Sequence, residues 1–301
     1  MSFSGNIKAF ISSVPPENDC CKMAELRAML SYSAYFDGDM MRFITESAET
    51  ADMMTSLLLV IADITATPEE KTSADITTYK TEITNKNDIK KLVDICGGID
   101  NIHRINEKEF TCPECANAYI RGAFLAAGFA NSPDHSYHIE ISTPFADLAV
   151  DTAVILSKKI GMPKISARKS NQILYYRESS LVEDFLTFIG ASKFAMEIMN
   201  EQIKREMRNK ANRQSNFEVA NIEKTIEAAN AQIEAINELR ESGKFDEMPE
   251  KMKEAALLRL ENYDMTQKEL GEKFSPPISK SQVSKLLSKV MNFHKIWKDE
   301  K

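Results

Sequence analysis

The sequence predicts an α+β fold, in which a duplicated N-terminal α+β domain is followed by a long polar linker helix and an all-α C-terminal domain. Two similar segments, CKMAELRAMLSYSA and CANAYIRGAFLAAG, align at an offset of 94 residues and indicate the duplication. The polar stretch after them has helical character, and two closely spaced helix-start signals follow near the C-terminus. We therefore divide the chain into four parts, with boundaries 1–105, 106–196, 197–245 and 246–301.

The aligned segments begin two halves of the same design. The offset superposes Cys21 on Cys115 and Arg27 on Arg121. MRFITES, AETADMMTSLLLVIADI, SADITTYKTEI and KNDIKKLVDICG follow the first segment, and SYHIEIST, PFADLAVDTAVILSKKIG, PKISARK, NQILYYRES and SLVEDFLTFIG follow the second. Runs of alternating β-branched and aromatic residues predict strands, and longer runs with 3–4 spacing predict helices. Both halves share the order helix, strands, helix, strands, helix.

Small residues recur at helical spacing in both copies. Gly122 and Ala126 are four residues apart, and so are Ala24 and Ala28. Because glycine and alanine let helix backbones approach closely, we expect the two copies to pack together on a pseudo-two-fold axis. The alternative is an ordinary alanine-rich core helix.

Charge is distributed unevenly along the chain. Residues 1–200 hold 19 Lys and Arg against 27 Asp and Glu, a net of −8, whereas residues 201–301 hold 19 against 18, a net of +1. Lys273–Lys298 contains six lysines and no acidic residue, which predicts a basic patch. No run reaches the ~18 apolar residues of a membrane helix, and no secretory signal is visible. We therefore expect a cytoplasmic protein that does not bind membranes.

The five cysteines are an odd number, which suits a reducing compartment better than a disulfide framework. Cys20, Cys21, Cys112 and Cys115 invite a zinc interpretation, because CPEC is a C-x-x-C motif. Adjacent cysteines are poor partners for such a site, and the repeat explains Cys21 and Cys115 as equivalent positions. We therefore expect no metal and no cofactor. No nucleophile–base pair or glycine-rich phosphate loop is recognisable, so we do not expect an enzyme.

Two helix starts near the C-terminus share one pattern. Thr266 with Glu269 and Ser279 with Gln282 match the capping box, each preceded by a hydrophobic staple. The Pro276-Pro277 pair ends the first of these helices and leaves a tight turn before the second. With the amphipathic PEKMKEAALLRLENY upstream, the pattern predicts a helix-turn-helix.

The second of these helices has an apolar and a polar face. Val283, Leu286, Leu287 and Val290 recur at 3–4 spacing and would face the bundle. Glutamine can pair with adenine and lysines can neutralise phosphates, so the outer face is a candidate DNA contact; the alternative is a solvated basic helix. The candidate DNA-binding residues here are Thr266, Gln267, Lys268, Ser279, Lys280, Ser281, Gln282, Ser284, Lys285 and Lys289.

The polar linker contains an asparagine stripe, Asn209, Asn212 and Asn216, although asparagine is a mediocre helix former. Basic residues surround it, with Glu206 as the one opposing acid. DNA contact and docking onto the preceding domain explain the stripe equally well. We add Arg208, Asn212 and Arg213 to the candidate DNA-binding residues.

The helix pair resembles the LAGLIDADG motif of homing endonucleases, in which two motif helices join αββαββα halves. In that family, an acidic residue near each helix end holds the catalytic metal. IRGAFLAAG places Ala127 at this position and LRAMLSYSA places Ser33 there. Metal-dependent phosphodiester hydrolysis needs such carboxylates, so the resemblance implies a scaffold without its chemistry. The rival interpretation is an active endonuclease with carboxylates elsewhere, Asp37 and Asp39 being nearest.

The chain as a whole resembles the WhiA family of Gram-positive bacterial regulators. SFSGNIK, CCKMAELRAML, AYIRGAFLAAG, NRQSNFEVANIEK and ISKS carry the resemblance, from the first residues to the last helix. It implies a degenerate LAGLIDADG domain joined to a helix-turn-helix, binding of double-stranded promoter DNA near the nucleoid, and control of sporulation-type development or cell division. It marks Asn212, Arg213, Asn216, Asn221 and Lys224 as hallmark positions.

The charge distribution and the internal repeat also predict binding partners and the oligomeric state. Because its N-terminal domain is acidic, we expect that domain to bind a protein, with RNA polymerase or a sigma factor as the candidate. Internal pseudo-symmetry predicts a monomer. The alternative is an adaptor whose helix-turn-helix binds only protein.

Overall fold

The computed structural model describes residues 2–74 and 76–300. The chain divides into two units, residues 1–205 and 206–301, which are described separately below. Within the described residues, no helix combines the length and the apolar character needed to cross a membrane.

The first unit contains two αββαββα halves, preceded by helix α1 (Phe3–Ser12). The first half comprises α2 (Asp19–Ser31), β1 (Tyr35–Phe36), β2 (Met41–Thr45), α3 (Ala48–Ala62), β3 (Glu69–Ser73), β4 (Ile76–Ile83) and α4 (Lys86–Ile95). The second half comprises α5 (Cys115–Ala127), β5 (Gly128–Ala130), β6 (Ile139–Thr143), α6 (Ala146–Lys159), β7 (Lys164–Arg168), β8 (Asn171–Tyr176) and α7 (Ser179–Phe188). This arrangement confirms the predicted fold class.

The two halves form antiparallel sheets with the same strand order, β1-β2-β4-β3 and β5-β6-β8-β7. Strand side chains alternate between the two faces of a sheet. In β2, Met41 and Phe43 are buried while Ile44 is exposed on the opposite face. Ile139 and Ile141 of β6 repeat the buried pattern in the second half. The identical topology confirms the duplication predicted from the repeat.

Helices α2 and α5 pack against each other through small residues. A Cβ atom added to Gly122 would lie 2.4 Å from the main-chain oxygen of Glu25 and 3.0 Å from the Cβ of Ala28. The neighbour that leaves no room for a methyl group is therefore the backbone of the partner helix. This confirms the predicted close approach at the α2–α5 interface.

Two arginines at equivalent positions of the repeat tie these helices to other segments. Arg121 lies 2.9 Å from the buried carboxylate of Glu25 and donates hydrogen bonds to the main-chain oxygens of Ile11, at 2.6 Å, and Val14. Arg27 pairs with Glu109 and donates to the main-chain oxygen of Cys96 at 3.1 Å. Each arginine thus anchors a neighbouring loop or helix end.

Burial raises the pKa of Glu25 from its ordinary 4.5 to about 7, against the opposing effect of Arg121. Between these values the folded chain binds more protons than the unfolded chain. Stability is therefore fully present below pH 4.5 and falls as the pH rises towards 7. We expect a loss of about 3 kcal/mol across this range from Glu25, at about 1.4 kcal/mol per pKa unit.

This prediction is checked by urea unfolding between pH 4.5 and pH 7. Glu25→Gln should remove this contribution to the pH dependence, because glutamine does not titrate there. The exposed Glu70→Gln serves as the matched control and should keep the wild-type slope. Equal slopes for Glu25→Gln and wild type would contradict the prediction.

The second unit is helical. Helix α8 (Ser192–Glu241) is 50 residues long and ends in this unit, followed by α9 (Glu250–Glu261), α10 (Gln267–Lys273) and α11 (Lys280–Asp299). Its hydrophobic core includes Ile236 and Leu239 of α8, which precede the predicted boundary at residue 246. The four-part division of the chain stays a prediction.

Candidate nucleic-acid interface

Both predicted capping boxes are present at the starts of α10 and α11. The Oγ1 of Thr266 accepts from the amide of Glu269 at 3.3 Å, and the Glu269 carboxylate accepts from the amide of Thr266 at 2.7 Å. The hydroxyl of Ser279 accepts from the amide of Gln282 at 3.4 Å, and Gln282 Oε1 accepts from the amide of Ser279 at 2.9 Å. The two helices of the helix-turn-helix are therefore confirmed.

The turn between α10 and α11 passes directly against α10. The amide of Ile278 donates to the main-chain oxygen of Gly271 at 2.9 Å. A Cβ at Gly271 would lie 2.3 Å from the main-chain oxygen of Ile278. Gly271 thus lets the turn close, a role that the sequence signals only by a glycine inside a short helix.

We expect Gly271→Ala to destabilise the second unit by about 2–3 kcal/mol, since the added methyl group must displace backbone. Thermal unfolding checks this effect. The exposed Glu272→Ala on the same helix is the control, and equal behaviour of the two variants would contradict the expectation.

Helix α11 presents the two faces predicted for it. Val283, Leu287 and Val290 are at most 1% exposed, and Leu286 is half-buried. Ser284 is half-buried, and the other polar residues of the outer face are exposed. These exposed residues are Lys280, Ser281, Gln282, Lys285, Ser288 and Lys289.

The side chain of Gln282 has a local partner that the sequence-based adenine contact does not take into account. Its Oε1 atom accepts from both the amide and the hydroxyl of Ser279, at 2.9 and 3.2 Å. A bidentate contact with adenine needs the same oxygen. In this conformation, Gln282 therefore stabilises the start of α11, and the neighbouring Ser281 and Lys285 are exposed.

A cleft in the second unit brings the C-terminal half of α8 close to the starts of α10 and α11. Asn221 and Lys224 line it together with three predicted site residues, Thr266, Gln267 and Lys280. The structure therefore adds Asn221 and Lys224 to the candidate site. Sequence reasoning missed three further polar residues of the lining, which only the packing of the helices brings there: Thr225, Gln232 and Arg259.

Arg259 holds one wall of this cleft in place. The residue is 1% exposed, and its Nη1 donates to the main-chain oxygen of Met265 at 2.7 Å. Met265 immediately precedes Thr266, the first capping residue of α10. Arg259 thus fixes the loop from which α10 starts.

The linker residues predicted to contact DNA lie on a fully exposed stretch of α8. Every residue from 206 to 228 is exposed, including Arg208, Asn212 and Arg213. The exposed basic side chains of this stretch also include Lys210 and Lys224.

The two positions at which a homing endonuclease would carry its acidic residues lie at the C-terminal ends of α2 and α5. Ala127 is the last residue of α5, and Ser33, just after α2, donates its hydroxyl to the main-chain oxygen of Leu30 at 2.7 Å. Both line one cleft, where Asp37 is the one carboxylate among the described residues. Hydrogen bonds from the hydroxyl of Tyr35 and from the amides of Asp39 and Met40 hold its pKa below the ordinary value. Among the described residues, the second half therefore supplies no carboxylate to this cleft, so a pair with one carboxylate from each half is not present.

The cysteine arrangement differs from the sequence-based expectation. The sequence predicts that Cys20, Cys21, Cys112 and Cys115 hold no metal, partly because adjacent cysteines seem poorly placed and partly because the repeat accounts for two of them. In the structure, the four sulfur atoms lie within 4.8 Å of one another. The pseudo-two-fold axis brings equivalent residues together, so equivalence favours a cluster.

Two family sequence models match the chain. The WhiA LAGLIDADG-like domain matches residues 116–208, and the WhiA C-terminal HTH domain matches residues 211–294. A protein from Thermoanaerobacter sp. (strain X514), named "Probable cell division protein WhiA", is 33% identical over 320 aligned residues, covering 100% of this chain and 99% of the relative. The chain belongs to the WhiA family. A WhiA protein of the same name from Clostridium perfringens (strain SM101) is 32% identical, with 96% of each chain covered.

A solved WhiA structure shows the same fold. Full-length WhiA from Thermotoga maritima superposes with a TM-score of 0.61 at 21% identity, covering 98% of each chain. The WhiA HTH model begins at residue 211, within α8. It therefore includes Asn221 and Lys224 of the cleft along with the helix-turn-helix.

Proposed function

We propose that this WhiA-family chain is a sequence-specific DNA-binding transcriptional regulator without nuclease activity. The exposed polar face of α11 carries the proposal, because it combines a capped helix start with three lysines and two serines that no core contact occupies. Relatives named for cell division support a role in that process. The proposal also includes sporulation-type development, which the resemblance of the sequence implies. Promoter DNA is the proposed partner, in the cytoplasm at the nucleoid.

The helix-turn-helix supplies both kinds of DNA contact. Lys280, Lys285 and Lys289 lie along the exposed side of α11 and would neutralise phosphates. Ser281, near its start, can hydrogen-bond base edges in the major groove. Lys224 and Gln267, in the cleft beside these residues, extend the polar surface towards α8.

The first unit is proposed to bind protein. On its first sheet, Arg42 lies 2.8 Å from Glu82 and Lys80 lies 2.7 Å from Glu69. These cations are paired with carboxylates on their own sheet, so phosphate binding would have to displace the acids. RNA polymerase or its sigma factor is the proposed partner, and internal pseudo-symmetry favours a monomer.

The absence of nuclease activity follows from Ser33 and Ala127, which replace the carboxylates that would hold metal ions. Incubating the purified chain with its own promoter DNA and Mg²⁺ tests this. We expect intact DNA. Site-specific cleavage that Asp37→Asn abolishes would contradict the proposal and favour the endonuclease.

Mapping the genomic DNA bound in cells tests the regulatory role. We expect enrichment at a limited set of promoters, lost when Lys280, Lys285 and Lys289 are replaced. Enrichment that survives these substitutions would favour the adaptor, in which the helix-turn-helix contacts only protein.

A further inference from the structure

The four clustered cysteines come from two chain segments more than 90 residues apart in sequence. Cys20 and Cys21 lie in the first turn of α2, Cys115 begins α5, and Cys112 lies in the loop just before it. Because α2 and α5 pair across the pseudo-two-fold axis, their first turns meet at one end of the interface. Each half therefore contributes two thiols to one place.

The sulfur separations are those expected around a single ion. Cys112 Sγ lies 3.6 Å from Cys20 Sγ, 3.4 Å from Cys21 Sγ and 3.4 Å from Cys115 Sγ. A tetrahedron with zinc–sulfur bonds of about 2.3 Å has edges of about 3.8 Å. A disulfide would need one pair at about 2.05 Å. An iron–sulfur cluster, whose cysteines bind different irons, would spread the sulfurs further apart.

The cluster lies at the starts of two helices and is partly open to solvent. Cys21 and Cys115 are buried, whereas Cys20 and Cys112 are half-buried, so the group is accessible from one side. Positive ends of two helix dipoles lie at the thiols.

We propose that Cys20, Cys21, Cys112 and Cys115 bind one Zn²⁺ ion in a closed, tetrahedral, structural site. Four protein ligands leave no coordination position for water or substrate, so the site stabilises the fold and performs no chemistry. Its role is to join the first turns of α2 and α5, at the end of the interface opposite Ser33 and Ala127.

Metal analysis of the full chain purified under reducing conditions tests the proposal. We expect about one zinc per chain, and loss of most of this zinc in Cys112→Ser and Cys115→Ser. Cys96→Ala is the matched control, because Cys96 is buried but lies outside the cluster. It should retain zinc at the wild-type ratio.

Titration of the reduced, metal-stripped wild-type chain with Co²⁺ provides a second measurement that does not depend on the variants folding. We expect saturation at one equivalent, with the visible spectrum of tetrahedral cobalt thiolates, and displacement of cobalt by Zn²⁺. Zinc should also raise the unfolding temperature of the first unit. Four reduced thiols that bind neither ion, a disulfide within the cluster, or iron in place of zinc would overturn the proposal.

Discussion

Replacing Lys280, Lys285 and Lys289 with glutamine is expected to weaken promoter binding by about 10²–10³-fold at about 0.1 M salt. Each lysine that neutralises a phosphate contributes about 0.9 to the slope of log affinity against log salt, so the slope should fall by about 2.7. The three side chains are exposed on α11, so the fold should persist. Fluorescence anisotropy with labelled promoter DNA at several salt concentrations measures both quantities.

The control variant removes three positive charges elsewhere in the second unit. Lys244, Lys251 and Lys253 lie before or within α9, away from α10 and α11 in the chain. Their triple replacement with glutamine should lower the affinity for promoter DNA much less, because it changes only the overall electrostatic potential of the protein. Equal losses for the two triple variants would show that α11 does not contact DNA specifically.

Gly122→Ala is expected to destabilise the first unit by about 3 kcal/mol or more, the upper range for overpacking. The methyl group would lie 2.4 Å from the main-chain oxygen of Glu25, so α2 and α5 must separate along their length. For a unit of about 200 residues, this corresponds to a fall of roughly 10 °C in Tm. Differential scanning calorimetry measures the effect.

The direction of the change in Tm shows whether Gly122 lies in a close helix–helix contact or in an unhindered helix. In an unhindered helix, replacing glycine with alanine stabilises by about 1 kcal/mol, because alanine loses less backbone entropy. An unchanged or higher Tm would therefore show that α2 and α5 do not approach closely at this position.

Local signals in the sequence predicted much of the fold. Alternation predicted the strands, the repeat predicted two halves of equal topology, and Thr266 and Ser279 marked helix starts that the structure places at the same residues. The small residue at 122 predicted the helix interface. These features depend on residues that are close in the sequence or on the internal repeat, and both can be recognised in a single sequence.

Features that depend on the meeting of distant segments were not predicted. The cleft joins Lys224 and Lys280 through helix packing, which leaves no local spacing to recognise. Gln282 is a local case instead: the sequence predicts both a capping box with Ser279 and a base contact for it, and in the structure its oxygen is engaged in the capping box. On the sequence alone, the equivalence of Cys21 and Cys115 argues against a metal site, whereas in the structure the two-fold axis places these equivalent residues near each other.

Ala28 and Gly122 occupy equivalent positions of the repeat, yet only one of them has room for a methyl group. The two halves have therefore ceased to be interchangeable since they duplicated. A chimaera with two second halves would place glycine on both sides and leave a gap, whereas one with two first halves would place alanine where the backbone of α2 approaches. The shape of each half now limits which interface substitutions the other half can accept. Further divergence at this interface therefore requires paired changes.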